Sequence, residues 1–378
     1  MEREIPEGYK KTQIGVIPID WEIQSVGQAF EIFNNLRYPI SEEVRKKQAG
    51  DYPYYGPTKV QGYINEYRVE GEYALIGEDG DHFLKWRESP MTLLVKGKFN
   101  VNNHAHIVKG TKNLTQWFYY YFYHRDITPH LTRQGAGRYK LTKNSLLQIL
   151  CAIPPTTKEQ EAIAQALSDV DAAIAELDRL ITKKRNLKQG AMHQLLMGKK
   201  RLPGFSREWG IKRLGEILKV RHGKSQHDIA EENGQFPILA TGGEIGRAKT
   251  YLYDKPSVLI GRKGTIDVPQ YMDSPFWTID TLFYTEIFNN AFPKFVFYRF
   301  NLINWYSYNE ASGVPSLSAK TIENIEVYLP CVDEQKAIAQ VLIDMDAEIE
   351  ALEQKRDKYK AIKQGMMQEL LTGRTRLV

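Results

Sequence analysis

A chain of 378 residues, 42% hydrophobic and 26% charged, is too long for one core, and two domains plus connecting structure are expected. The net charge of +5 leans toward an acidic partner without naming one. The polar stretch from Met1 to Lys11 gives no signal-peptide pattern, no run of about 18 apolar residues offers a membrane span, and Cys151 and Cys331 make no disulfide framework; a cytoplasmic protein is expected.

In chain order, residues 1–154 form a first domain. It is rich in Tyr, Val, Ile, Phe and Gly turns and reads as mainly β with short helices. The run WFYYYFY (117–123) reads as a buried helix. Residues 155–200 form a long helix, residues 201–330 a second domain with its own buried helix KFVFYRF (294–300), and residues 331–378 a second long helix. The segments carry charges of +3 (1–150), +3 (151–202), 0 (203–330) and −1 (331–378).

An internal duplication organises this order. EQEAIAQALSDVDAAIAEL and LKQGAMHQLLMGKKRL in 159–202 return as EQKAIAQVLIDMDAEIEAL and IKQGMMQELLTGRTRL in 334–377. At an offset of 175, 22 of 44 positions are identical. Ile163, Leu167, Val170, Ile174, Leu177 and Ile181 step by four and three. So do Ile338, Leu342, Met345, Ile349 and Leu352, with Tyr359, Met366 and Leu370 in the same seam. This a/d stripe predicts pairing with another helix. Thr156 with Glu159 reads as a capping box and Asp333 as the second N-cap. Gly198 and Gly373 stop the helices. Gly190 and Gly365 lie inside them, each costing about 1 kcal/mol against alanine, and suggest a kink or a close backbone approach.

Charge predicts how the helices pair. Residues 159–178 hold six acids and no base; residues 179–201 hold eight bases and no acid. The second copy repeats the division at 333–353 and 354–376. Only antiparallel pairing sets acid against base along the whole length. The globular parts also repeat. GPTKVQGYINEYRVEGEYALIGEDG (56–80) aligns without gaps to ATGGEIGRAKTYLYDKPSVLIGRKG (240–264), so Gly77 and Gly80 meet Gly261 and Gly264. Trp21 and Gly27 meet Trp209 and Gly215. The duplication is cyclic, and an antiparallel helix pair closes it with approximate twofold symmetry. The fold class is α+β: two similar mainly-β/α+β domains separated by two long antiparallel helices forming a coiled coil.

Motifs for chemistry fail one by one. Gly223-Lys224-Ser225 lacks the P-loop glycine at Leu218, and Gly135-x-Gly137 lacks the third glycine at Lys140. His104 and His106 have no further metal ligands nearby in sequence. Glu78, Asp79 and Asp81 suggest a nuclease, but the counterparts of Glu78 and Asp79 are Arg262 and Lys263. A loop that reverses its charge between equivalent domains reads as a variable recognition surface.

The EQ-x-AIA-x-x-L starts at 159 and 334, the KQG…LL-x-G ends and the opening YKKTQIGVIPIDWE (9–22) resemble the specificity subunit of type I restriction–modification enzymes, over essentially the whole chain. The resemblance implies a non-catalytic subunit that binds double-stranded DNA, two adenine-N6 methyltransferase subunits and restriction/motor subunits, and no membrane. It implies no cofactor on this chain, with S-adenosylmethionine, ATP and Mg on the partners, and one half of a split, asymmetric site read by each domain. A helix over 156–197 is about 60 Å long at ~1.5 Å per residue, which suits two tracts separated by unread DNA. Cationic residues on Gly-rich loops are the DNA-binding candidates: Arg37, Lys59, Arg133, Arg138 and Lys140 in the first domain, and Arg221, Lys224, Arg247, Lys249, Arg262 and Lys263 in the second. Two other readings stay open: a coiled-coil scaffold that never meets DNA, and a nuclease or methyltransferase with an unrecognised motif.

Overall fold

The computed structural model describes residues 5–133 and 138–377. The chain divides into two compact units, Met1–Glu176 with Arg356–Val378, and Leu177–Lys355. Each long helix therefore gives one half to each unit.

The first unit contains β1 (Tyr9–Thr12), β2 (Gly15–Pro18), β3 (Glu22–Ser25), α1 (Val26–Ala29), β4 (Phe30–Ile32), α2 (Glu42–Lys47), β5 (Ala49–Tyr55), β6 (Val60–Ile64), β7 (Val69–Gly77), β8 (Thr92–Val101), β9 (Ala105–Gly110), α3 (Thr115–Phe122), β10 (Thr132–Arg133), β11 (Tyr139–Lys140), α4 (Lys143–Gln148) and β12 (Leu150–Ile153). The long helix α5 (Thr157–Leu196) leads into the second unit. There follow β13 (Gly210–Arg213), β14 (Leu218–His222), β15 (Phe236–Ala240), β16 (Gly243–Ala248), β17 (Ser257–Gly261), β18 (Gln270–Met272), β19 (Trp277–Thr278), β20 (Leu282–Ile287), α6 (Pro293–Phe300), α7 (Ala319–Asn324), β21 (Glu326–Leu329) and the second long helix, α8 (Val332–Leu370).

The two units share one strand plan. In the first, a six-stranded sheet runs β4-β9-β7-β8-β5-β6. In the second, β14-β20-β17-β18 and β16-β15-β19 repeat that succession as two sheets. The long strand β8 pairs with β7 antiparallel and with β5 parallel, joining both halves. Its counterpart is broken into β18 and β19 by Asp273-Ser274-Pro275, where proline cannot donate to a ladder. The apolar runs of α3 and α6 are buried helices, with Trp117, Phe118 and Phe122, or Phe295, Val296 and Phe300, closed from solvent. The short helices α4 and α7 start alike: the hydroxyls of Thr142 and Ser318 each accept from the backbone N–H three residues on.

The repeated Glu-Gln at the start of each long helix has a physical role. Gln160 Oε1 accepts from Leu114 N (2.9 Å) and Gln335 Oε1 from Phe292 N (2.8 Å), so each glutamine ties its helix to the start of the aromatic helix. The glutamates are buried, and each is clamped by an arginine far away in sequence: Glu334 by one 133 residues before it, Glu159 by one 217 residues after it. Arg376 grips Glu159 through Nε and Nη2 and also donates to both Asp20 oxygens at 2.9 Å. Arg201 grips Glu334 through Nε (2.6 Å) and Nη2 (2.7 Å), and Trp209 Nε1 adds a third bond at 3.1 Å.

These partners correct the capping expectation. Thr156 Oγ1 accepts from Glu159 N at 3.3 Å, but the Glu159 carboxylate goes to Arg376 instead of back to the cap. Asp333 is not the second N-cap either. The helix begins at Val332, Cys331 O accepts the first bond from Gln335 N, and Asp333 sits in the acidic first turn. Gly198 (φ 68°) and Gly373 (φ 71°) end the helices in the left-handed region. A Cβ on Gly190 or Gly365 would meet open space, so neither marks a close approach within the chain.

Within each unit the helix halves run antiparallel. In the first, Lys363 meets Asp171 (2.6 Å) and Arg376 meets Glu159. In the second, Lys184 meets Glu348 (2.6 Å), Lys188 meets Asp346, Arg185 meets Glu353 and Arg201 meets Glu334. Of the expected seam, Ile163, Leu167, Leu177, Ile181, Ile338, Leu342, Ile349 and Leu370 are buried; Val170, Ile174, Met345, Leu352, Tyr359 and Met366 are half-buried. Lys363 and Met367 are buried beside Leu370 and Leu371. A tyrosine braces each pair: Tyr120 Oη donates to Asp171 (3.1 Å) and Tyr298 Oη to Asp346 (2.7 Å). Among the described residues, no helix is long and apolar enough to cross a membrane.

Candidate nucleic-acid interface

The central strands β7 and β17 end in equivalent loops, and the same backbone bonds hold both. Glu78 N donates to His104 O (2.8 Å) and Arg262 N to Thr281 O (2.8 Å). Leu141 N donates to Glu78 O (2.7 Å) and Leu317 N to Arg262 O (2.9 Å). Gly80 N donates to Tyr139 O (3.0 Å) and Gly264 N to Pro315 O (2.8 Å). Gly80 (φ 131°) and Gly264 (φ 97°) supply the backbone conformation that other residues rarely adopt. Because the main chain is fixed on both sides, side chains at 78 and 79, or 262 and 263, can differ without disturbing the sheet.

They differ completely. In the first unit Glu78 is held by Arg37 (2.7 Å) and Lys140 (3.4 Å), and its side chain is only 16% exposed. Arg37 also donates to His106 Nδ1 at 2.9 Å. These two candidate cations brace a carboxylate in this structure. His106 is a buried core histidine. Asn34 shares its Nδ1 (2.9 Å), and Nε2–H donates to Leu141 O (2.8 Å). Burial, with the Arg37 charge beside it, pushes its pKa down to about 4. His104 does not converge with it; His104 Nδ1 pairs with Asp79 at 2.8 Å.

The other first-unit candidates are exposed. Lys59 lies in the turn between β5 and β6, which approaches the loop: Pro57 Cβ is 3.3 Å from where a Cβ on Gly77 would sit. Arg133 lies over the Tyr139 ring in the β10–β11 pair, and Arg138 precedes β11. The Gly135-x-Gly137 pattern lies outside the described residues.

In the second unit Arg262 and Lys263 are exposed and line a cleft of about 650 Å³ with His222, Asp280, Glu310 and Ser318. Arg262 Nη1 donates to Asp280 O at 3.1 Å. Lys263 makes no ion pair among the described residues. Neither does Lys224, whose N–H donates to Thr278 O and whose carbonyl accepts from Trp277 Nε1 (2.9 Å), fixing it to the same end of the sheet as Arg262. Arg221 is paired with Glu286 (2.9 Å) and Arg247 with Glu244 (3.0 Å). Lys249 lies just past β16, its N–H on Ile229 O. Arg247 and Lys249 are at the end of that hairpin away from the Thr241–Gly242 turn, so they do not join the Arg262 group.

Two such loops, one plan and opposite charges on a duplicated chain, invite comparison with known proteins. The model of the type I restriction modification DNA specificity domain matches residues 18–186 and again 206–361. The chain belongs to this family. A putative type I restriction enzyme specificity subunit of Haemophilus influenzae is 25% identical over 352 residues, covering 86% of each chain. The putative MjaX specificity subunit of Methanocaldococcus jannaschii is 24% identical over 420 residues, covering 98% of this chain and 97% of that one. The crystal structure of the type I S subunit from M. genitalium superposes with a TM-score of 0.67 over 93% of this chain and 96% of that chain, at 17% identity, and so shares the fold. This is a specificity subunit with two DNA-recognition domains. Residue chemistry alone considers Asp79 and His104 only as nuclease and metal residues; the fold joins them as a pair. The sequence signal for Asp79 is its place on the loop whose twin carries Arg262 and Lys263; His104 lies in the turn between β8 and β9 and is brought to it by the fold.

Proposed function

We propose that each unit reads one half of a bipartite, asymmetric duplex target, and that the long helices carry the binding sites for two adenine-N6 methyltransferase subunits and for ATP-dependent restriction subunits. The chain contributes readout and catalyses no step; S-adenosylmethionine, ATP and Mg belong to the partners. The observation that carries this reading is the pair of loops at Glu78–Gly80 and Arg262–Gly264, alike in main chain and opposite in charge.

The contacts divide by chemistry. Lys59, Lys224 and Lys263 suit phosphates; Arg133, Arg138 and Arg262 can reach guanine edges bidentately. Methylation mapping in cells carrying this subunit with its methyltransferase tests the proposal. It should give one split motif with unlike halves, and exchange of 214–330 for the matching domain of a relative should change one half alone. A single continuous motif, or a change in both halves, would overturn it.

A further inference from the structure

The reading loop has a second property, which rests on the function proposed above. Its main chain is the same in both units, so what it presents to a partner is decided by two side chains. In the first unit Glu78 is turned inward onto Arg37 and Lys140. Asp79 turns the other way and is partly exposed (24% for its side chain, 45% for that of His104), beside the exposed Asp81, and of these two carboxylates it is the one that a histidine orients. His104 Nδ1 lies 2.8 and 3.1 Å from the two Asp79 oxygens, so the ring donates to the carboxylate and fixes its direction. In the second unit both loop side chains are cationic and exposed.

Beside DNA a carboxylate is repelled by phosphates, and it can only accept hydrogen bonds. The matching donors in the major groove are base amino groups, the cytosine N4 above all for an acidic side chain. Arginine and lysine match the O6 and N7 acceptors of guanine instead. We propose that Asp79, positioned by His104, reads a cytosine amino group in the half-site of the first unit, while on the twin loop Arg262 reads guanine in the half-site of the second and Lys263 holds the neighbouring phosphate. This one loop then sets opposite hydrogen-bond polarity in the two half-sites.

The test selects bound duplexes from a randomised library with the full chain co-purified with its methyltransferase subunits, at fixed salt. The selected pools of wild type, Asp79→Ala, Asp79→Asn and R262A/K263A are sequenced. Wild type should prefer cytosine at one position of one half-site, by about tenfold over other bases. Asp79→Ala should flatten that position and leave the other half-site intact. Asp79→Asn, close in shape, should move the preference toward adenine, whose N6 and N7 match an amide. R262A/K263A should flatten a guanine position in the other half-site only. If Asp79→Asn and R262A/K263A both select the wild-type motif at every position, the loop assignment is overturned while the function stands. A wild type that selects no motif overturns the function and this assignment together.

Discussion

The two units solve the same folding problem with different sheets and different loops. The first has an unbroken β8 that ties six strands into one sheet; the second has the same succession cut at Asp273-Ser274-Pro275. The first has a buried histidine at position 106, paired across from Ile76, where the second has Phe283, paired across from Ile260. The first clamps its helix start with Arg376, Glu159 and Asp20; the second uses Arg201, Glu334 and Trp209. What stays the same where the long helices meet the domains is the arginine–glutamate pair and the glutamine bond beside it; only the third partner differs. What changes lies on and around the loop at the end of the central strand. Duplicated copies can drift wherever the main chain is already satisfied by its own bonds, and that loop is such a place.

Four changes would break or sharpen the comparison. The largest concerns the clamps, since removing one partner of a buried ion pair typically costs about 3–5 kcal/mol. Arg376→Met should destabilise the first unit by that order. Arg201→Met should cost the second unit less, because Trp209 still donates to Glu334. Denaturant unfolding followed by hydrogen exchange in each unit measures both; equal losses would show that the indole bond adds nothing.

Acid should separate the units next. His106 is held neutral with its pKa near 4, so between pH 6.5 and 4 the unfolded chain binds a proton that the folded unit refuses. Stability of the first unit is therefore full above about pH 6.5 and falls as pH drops toward 4, by roughly 3 kcal/mol at most. Phe283 cannot titrate, and the second unit should lack this component. Unfolding of wild type and His106→Gln between pH 4 and 7 checks it; an unchanged pH slope in the variant would assign the loss elsewhere.

DNA binding distinguishes paired from unpaired cations within the second unit. Lys224→Ala and Lys263→Ala should each lower the slope of log affinity against log salt by about 1. Arg221→Ala should lower it less, because Glu286 already sits 2.9 Å away. Equal slopes for all three would mean that DNA strips Arg221 from its partner. The smallest effect is expected inside the helices. Gly190→Ala and Gly365→Ala face open space and should each stabilise by up to about 1 kcal/mol. Loss of stability by the isolated chain would reveal a constraint on those backbones.

Much of this architecture is written in local sequence. The heptad stripe, the division of charge and the glycines at 198 and 373 specify two long antiparallel helices, because side-chain period and helix termination are local properties. The ungapped match of 56–80 with 240–264 identifies the twin loops, because a glycine that must adopt a positive φ is visible in the sequence. Tertiary structure alone decided which charges are free. Arg37 reads as an open surface cation until Glu78 closes on it, and Glu159 reads as a cap until Arg376 takes its carboxylate from 217 residues away. It also decided that His104 serves Asp79 while His106, two residues on, serves the core. An ion pair or a buried hydrogen bond depends on which residues the fold brings within about 3 Å, and no spacing along the chain encodes that distance.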